Sequence, residues 1–458
     1  MTLVLAYVVE LGPLIVLAAL LGAVLAGYAP WVWRHPERWL LWAILVLAIA
    51  KVGDDSSGEG SLFRQVTWGG LFLFAGLRAL VKDDESRSPV LHSVPVLMWC
   101  VLAYAFTSIL WSPIPLTSFK RALQLLGVLL LALIILRGAE KGQPLQKQLR
   151  APALIVLLAG LLAALVSPSL AFDADRALRG ISSHKNTWGQ LSLLACITLG
   201  YVALTTHKRR GLTLAALGVA IASLALSRSA TSLMGLFLVA GVFIAARLMV
   251  AKNGVLRVSA IGAALVVLIC AHAYVVYTGQ SPIDPVVEAI YATAGKEQTL
   301  TGRTQLWQLM DTEIARHRWF GIGYGGFWAG PGGPSNFIAA RVNWGPPGQA
   351  HSGYIDVTNE LGYAGMALLA ALLLRHAGSL IQLYRRGRRL DAGFHAALLS
   401  SALIINYAES SLLRTTHVWW IVLCASIVEV HRANKIPKNA GAQRAKHVRA
   451  TPRDWKWS

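Results

Sequence analysis

The sequence is short of charge, and of acidic charge most of all. Charged residues fill 14% of its 458 positions, where a soluble domain carries roughly a quarter. Hydrophobic residues fill 55%, and the apolar runs never pause long enough for a soluble domain. Length alone suggests about three domains, and the hydropathy overrides that expectation. Cysteine is scarce: Cys100, Cys196, Cys270 and Cys424 each stand alone in an apolar segment, with no CxxC pair. That excludes a disulfide framework and a thiolate metal cluster and leaves small buried hydrophobes. No Walker sequence occurs, so nothing points to ATP as a driver. No His/Asp/Glu group has metal-ligand spacing, and no cofactor is expected. There is no internal repeat and no low-complexity tract before the C-terminal tail.

What is present is a succession of apolar segments. A spanning helix needs about 20 mostly apolar residues, and thirteen segments qualify or nearly so: 3–26, 39–52, 62–81, 94–110, 117–136, 151–167, 188–206, 212–226, 229–250, 256–277, 355–383, 393–407 and 415–430. Segment 39–52 is short for a span. With one early segment read as re-entrant, the count becomes twelve and both chain ends lie inside. Segment 3–26 lacks a basic leader and a clear cleavage site and reads as a retained helix. The expected fold is therefore an all-α integral membrane protein of about 12 transmembrane helices with one large outward loop. Its divisions are a helix bundle over 1–277, the loop over 278–354, C-terminal helices over 355–431 and a basic cytoplasmic tail over 432–458.

The 42 Lys and Arg outnumber the 22 Asp and Glu, for a net charge of +20. In a soluble protein this balance would suggest nucleic acid. Here the basic residues sit in short loops beside apolar runs, which is how membrane orientation is encoded, and no nucleic-acid partner is expected. Loops 137–150, 207–211, 247–257 and 385–389 read as cytoplasmic. Loops 111–115, 168–187, 227–229, 278–354 and 409–414 then fall outside. The tail fits contact with membrane lipids and equally a solvated end. In the long loop, Leu306, Trp307, Leu309, Met310 and Ile314 recur at helical spacing, and glycines and prolines over 321–326 and 331–334 interrupt the chain beyond that helix. The loop's aromatic residues argue against disorder.

Arginine on the outer face runs against the orientation rule and calls for a reason. Arg228 sits in a turn between two apolar segments, where an ionised group is costly unless paired or wet; snorkelling to headgroups is the structural alternative. Arg303 follows a glycine at an expected helix start, where a cation is unfavourable, so an anionic partner would explain it; an ion pair with Glu297 or Asp311 is the alternative. His351, just before a span, has a titration range suited to a base or acid, though a lone histidine there is more often a cap. Arg176, Arg179, His184, Lys185 and Asn186 crowd one outer loop and suit phosphate, or simply solvent. Glu409 and Arg414 read as a structural pair. Gly321–Gly326 resembles a phosphate loop, but no strand precedes it, and it reads as a turn after the loop helix. Within spans, the ionisable exceptions are Glu10 and Glu360 near ends. That weakens an ion-coupled transporter or a flippase, and a membrane scaffold would give no reason for outward arginines.

Several motifs in order resemble one family. They are Ile109-Leu110-Trp111-Ser112-Pro113, Gly180-Ile181-Ser182-Ser183-His184-Lys185-Asn186, Ser227-Arg228-Ser229, Thr301-Gly302-Arg303 with Trp307, Gly321-Ile322-Gly323, His351-Ser352-Gly353-Tyr354, and Glu360-Leu361-Gly362 with Gly365. Over roughly 60–430 the chain is similar to the O-antigen ligase (WaaL) and O-antigen polymerase (Wzy) superfamily. The usual Asn after the histidine is Ser352 here. The resemblance implies a glycosyltransferase-C-like bundle in a bacterial inner membrane with a periplasmic active site. It implies a ligase that moves polysaccharide from undecaprenyl diphosphate to the lipid A–core oligosaccharide, with inversion and without a metal. Arg228 and Arg303 would then hold the diphosphate and His351 would take the acceptor proton. Lys185, Arg179, Asn186, Trp307 and Tyr354 would bind substrate. A polymerase, which extends a lipid-linked glycan, and a protein-glycosylating ligase share this pattern.

Overall fold

The computed structural model describes residues 35–49, 62–80, 93–207, 209–250, 303–330, 332–339, 341 and 347–436. The expected spans 3–26 and 256–277, the first part of the long loop and the tail from 437 lie outside these residues. So do the side chains of some helix-end residues, Arg303 among them.

The described residues are predominantly helical. In order run α1 (Pro36–Ile49), α2 (Leu62–Leu80), α3 (Val96–Thr107), α4 (Pro115–Glu140), α5 (Leu145–Val166), α6 (Lys185–Thr205), α7 (Arg210–Leu226), α8 (Ala230–Val250), α9 (Arg303–Arg316), α10 (Gly353–Arg385), α11 (Arg389–Ala408) and α12 (Val418–Lys435). No strand occurs among the described residues, and Phe172 and Leu178 form an isolated bridge. By length and composition, five of these helices can cross a membrane: α4 over Pro115–Ala139, α5, α6, α8 over Ala230–Leu248, and α10. Shorter apolar stretches cover Trp39–Ala48, Val96–Trp111 and Arg210–Leu226.

Local sequence sets the helix ends. Pro115 stands at the first turn of α4, where its missing N–H and fixed φ do no harm. Gly142, at φ 79°, stops that helix in the left-handed conformation glycine tolerates. His184 caps α6 by accepting from the Asn186 amide at 3.1 Å, and His417 caps α12 through the Trp419 amide at 3.3 Å. In the interior, small residues let helices approach. A Cβ on Gly393 of α11 would lie 2.9 Å from that of Ala246 of α8, and these two helices share an extensive interface.

The basic loops 137–150 and 385–389 lie at one end of the bundle. There Glu429 of α12 accepts from the Leu145 amide at 3.0 Å and Arg388 bonds Asp391 at 2.8 Å. The loops between 166 and 185, at 227–229 and 409–417, with the described residues of 317–352, gather at the other end, called here the loop end. A second small core, separate from the bundle, sits there: Leu306 and Met310 of α9 pack with Ile322, Phe327, Trp328, Ile338 and Ala350. The helical spacing expected around Leu306 and Met310 is thus that of a helix with a buried face.

Two further features go beyond the sequence expectations. Helix α10 is broken at Gly362 (φ 67°, ψ −173°). The segment after α9 fills the break: the amides of Ile322 and Gly323 donate to the carbonyls of Asn359 and Glu360, and the amides of Tyr363 and Ala364 donate to those of Arg318 and Trp319. The bundle also holds more ionisable groups than Glu10 and Glu360. His376 of α10 and His395 of α11 are buried and linked through Ser426 of α12, at 3.4 and 2.8 Å. Asp391 accepts from Tyr201 at 2.5 Å. Each is matched by polar groups on neighbouring helices, which a one-dimensional hydropathy reading cannot see.

Candidate functional site

At the loop end, α6 starts between two sets of contacts. Lys185, its first residue, is buried, with its ammonium 2.9 Å from Asp175 and 3.3 Å from Asp173. Asn186, the next residue, donates to a Glu409 carboxylate oxygen at 2.7 Å. Glu409 follows α11, and its other oxygen lies 3.4 Å from His351 Nδ1. Gln349 reaches both, at 3.4 and 3.5 Å. These last contacts sit at the long limit of a hydrogen bond, as is common where a site tightens on substrate. A carboxylate beside one ring nitrogen fixes the imidazole's orientation and leaves the other nitrogen turned away from it.

Arg228 lies in the turn between α7 and α8. It is exposed, at φ 48°, and donates to the Asp175 carbonyl at 3.0 Å. Arg228, Asp175, Lys185, Asn186, Glu409 and His351 therefore form one continuous series of contacts. His351 itself sits at φ 51°, a left-handed conformation that costs a non-glycine residue about 1–3 kcal/mol. Arg176 and Leu413 share that conformation at the same end. Strain of this kind concentrates where surrounding contacts enforce a geometry.

The remaining sequence candidates divide. Arg179 is half-buried and turned to the carbonyls of Leu170 and Ser169, at 3.1 and 3.5 Å, which anchors the outer loop. Trp307 donates from its indole to the Ala350 carbonyl at 2.8 Å and meets Tyr407 edge to face. Tyr354 donates to the Leu403 carbonyl at 3.0 Å. Arg303 opens α9, the helix Trp307 ties to the residue before His351; its side chain is outside the described residues.

The expected pairing of Glu409 with Arg414 is redistributed. Arg414 bonds Asp356 at 2.6 Å and approaches Glu360 at 3.9 Å. Burial opposes its charge, but Asp356 and then Glu360 outweigh that and hold the guanidinium above its usual value. Four residues separate Glu409 from Arg414, and a turn between them sends the two side chains apart. Asp356, which is not among the sequence candidates, also accepts from the Trp328 indole at 2.7 Å, the Ala350 amide at 3.2 and 3.3 Å, and the Ser410 hydroxyl. A signal for it exists in the sequence: Asp356 and Glu360, four apart on one helix, are acids in an otherwise apolar run, where a carboxylate is expensive unless matched.

Nearby, the Gly321–Gly326 turn runs against α10. Gly321, Gly323 and Gly325 have φ of 72°, 111° and 64°. The Gly325 amide donates to Glu360 at 2.8 Å. Tyr324 is buried, which pushes its phenol above the usual range, and it donates to the Leu413 carbonyl at 2.5 Å. The segment is a turn, as expected, and the amides of Ile322, Gly323 and Gly325 bond α10.

Comparison with known proteins bears on this end of the molecule. The family described as O-antigen ligase (Wzy_C) matches residues 194–370, which include Arg228, Arg303, His351, Asp356 and Glu360. The exopolysaccharide production protein ExoQ of Rhizobium meliloti (strain 1021) is 28% identical over 281 residues. That similarity covers 59% of this chain and 62% of the relative, so the chain spans less than two thirds of that protein's length.

Proposed function

We propose that this chain is a member of the O-antigen ligase superfamily, whose family model matches residues 194–370, and that it is a membrane ligase acting on a lipid-linked polysaccharide. The family supports an enzyme of ligase or polymerase type. The finer reading is transfer of polysaccharide from undecaprenyl diphosphate to the lipid A–core oligosaccharide, at the periplasmic face of a bacterial inner membrane crossed about twelve times, with loop 278–354 outside. The observation that carries it is the meeting of Asn186, Glu409 and His351, from three distant segments, beside a turn that exposes Arg228.

In this reading Arg228 and Arg303 hold the donor diphosphate and stabilise the charge that develops on the leaving group. His351, oriented by Glu409, takes the proton of the acceptor hydroxyl. The hydroxyl oxygen attacks the anomeric carbon from the side opposite the departing diphosphate, so the carbon inverts in one step. The two arginines supply the positive charge without a metal. Lys185 adds positive potential at the diphosphate, Arg179 holds the loop that carries it, and Trp307 and Tyr354 frame the glycan.

A second reading is favoured by the similarity to a protein named for exopolysaccharide production. There the acceptor is another lipid-linked glycan and the reaction lengthens a chain. The deciding experiment is complementation of a strain lacking its ligase with wild type and His351→Ala, at matched membrane levels, with lipopolysaccharide resolved on a gel. Ligation predicts a restored ladder for wild type and bare core with accumulated lipid-linked polymer for His351→Ala. Well-expressed wild type that restores only chain lengthening, in a polymerase-deficient strain, would establish the second reading instead.

A further inference from the structure

We propose that Asp356, clamped by Arg414, is a positioning residue for His351. The proposal rests on the reading of His351 as the proton acceptor. Asp356 is 3% exposed, and its carboxylate gathers donors from four places: the Trp328 indole, the Ala350 amide, the Ser410 hydroxyl and the Arg414 guanidinium. These come from the segment after α9, the stretch of chain entering α10, and the connection between α11 and α12.

The Ala350 contact gives this cluster its meaning. Ala350 is fully buried and immediately precedes His351. Its amide is held by Asp356 and its carbonyl by Trp307 of α9 at 2.8 Å. A residue gripped at both its N–H and its C=O leaves the next residue little freedom. That residue is His351, at φ 51°, a conformation it would leave if the backbone were released. One residue, held at both of its peptide groups, thus fixes the backbone before the imidazole and, through Trp307, sets its register against the helix that begins at Arg303.

The chemistry requires a carboxylate. An ionised carboxyl offers about four acceptor positions, which the four donors occupy, whereas a side-chain amide offers two and adds two donors of its own. Asp356→Asn therefore keeps the shape but cannot hold Arg414 and the Ala350 amide together. The imidazole would shift while the exposed Arg228 turn, which shares no direct hydrogen bond with Asp356 among the described residues, stays in place. A displacement on the order of 1 Å at a reacting group lowers turnover about 100-fold.

The test uses the full-length chain in liposomes, with undecaprenyl diphosphate-linked glycan as donor probe and a lipid A–core acceptor or lipid-linked glycan according to which reaction wild type performs. Asp356→Asn, Trp328→Phe and His351→Ala are compared for kcat, donor KM and melting temperature. The expected result is a kcat about 100-fold down in Asp356→Asn, with donor KM within about twofold. Trp328→Phe, which removes a different donor from the same carboxylate, should keep most of its kcat. If Asp356→Asn does not reach the membrane, Arg414→Lys replaces it, with the same split expected. Wild-type kcat in Asp356→Asn beside an inactive His351→Ala would overturn the proposal and leave the base assignment standing. An equal fall of kcat, donor affinity and melting temperature in Asp356→Asn and Trp328→Phe would also overturn it, as the mark of packing alone. An active His351→Ala would remove the base, and the proposal with it.

Discussion

Asn186 and Glu409 are 223 positions apart in the chain and meet at 2.7 Å, amide nitrogen to carboxylate oxygen. Helices α6 and α11 are joined at this point by a polar contact. The carboxylate's other oxygen is left facing His351. Glu409 is therefore held through one oxygen by a neutral donor while its other oxygen approaches the imidazole. This arrangement fits the orienting role proposed for Glu409, and its partner is not Arg414, which bonds Asp356.

Removing the proposed base should lower turnover by about 10²–10⁴-fold. Glu409→Gln keeps the shape and the Asn186 contact but withdraws the charge, and should fall within the same range with donor KM little changed. Turnover of reconstituted protein checks both. A Glu409→Gln enzyme with wild-type kcat would mean that the 3.4 Å approach to His351 has no catalytic consequence.

Arg228 is exposed and donates to the Asp175 carbonyl, so its loss should barely move the melting temperature. Its effect should appear in the reaction. Arg228→Ala is expected to lose about 2.7–4 kcal/mol of transition-state stabilisation, roughly a 10²–10³-fold drop in kcat. Arg228→Lys should recover only part, because an ammonium cannot reproduce the two-pronged guanidinium contact. Parallel kinetics on the two variants decide it.

Lys185 presents a sharper choice, since its ammonium already faces Asp173 and Asp175. If it contributes to the potential at the diphosphate, releasing it from the exposed Asp175 should tighten donor binding. An exposed pair is worth about 0.2–1 kcal/mol, so Asp175→Asn should lower the donor KM by up to about fivefold. A raised KM would show that the ion pair serves to shape the loop that presents Arg228.

Gly321 and Gly332 separate space from backbone strain. Both have positive φ, 72° and 79°. A Cβ at Gly321 would lie 2.4 Å from the Glu360 carbonyl carbon, whereas one at Gly332 meets nothing within 4 Å. Gly332→Ala should show only the left-handed cost, about 1–2 kcal/mol. Gly321→Ala adds overpacking of about 1–3 kcal/mol and should melt at a clearly lower temperature in detergent.

Much of this was legible in the sequence. The apolar runs located α4, α6, α8 and α10 to within a few residues, because a span must be continuous in sequence. The periodicity at Leu306 and Met310 located α9. His351 and Arg228 stood out because a histidine or arginine at such a junction calls for a reason. Asp356 and the partner of Glu409 were not legible, since their meaning lies in donors brought from far along the chain. The buried pair His376 and His395 escaped for the same cause: hydropathy averages each over its own helix, while Ser426 supplies the match from another.

The interruption at Gly362 has a mechanical consequence. Its exposed backbone groups are bonded to the segment after α9, in both directions along the chain. The loop is therefore spliced into a membrane helix rather than hung from it. The described segment 318–323 cannot swing away without breaking those bonds, and any movement of α10 is carried directly into it.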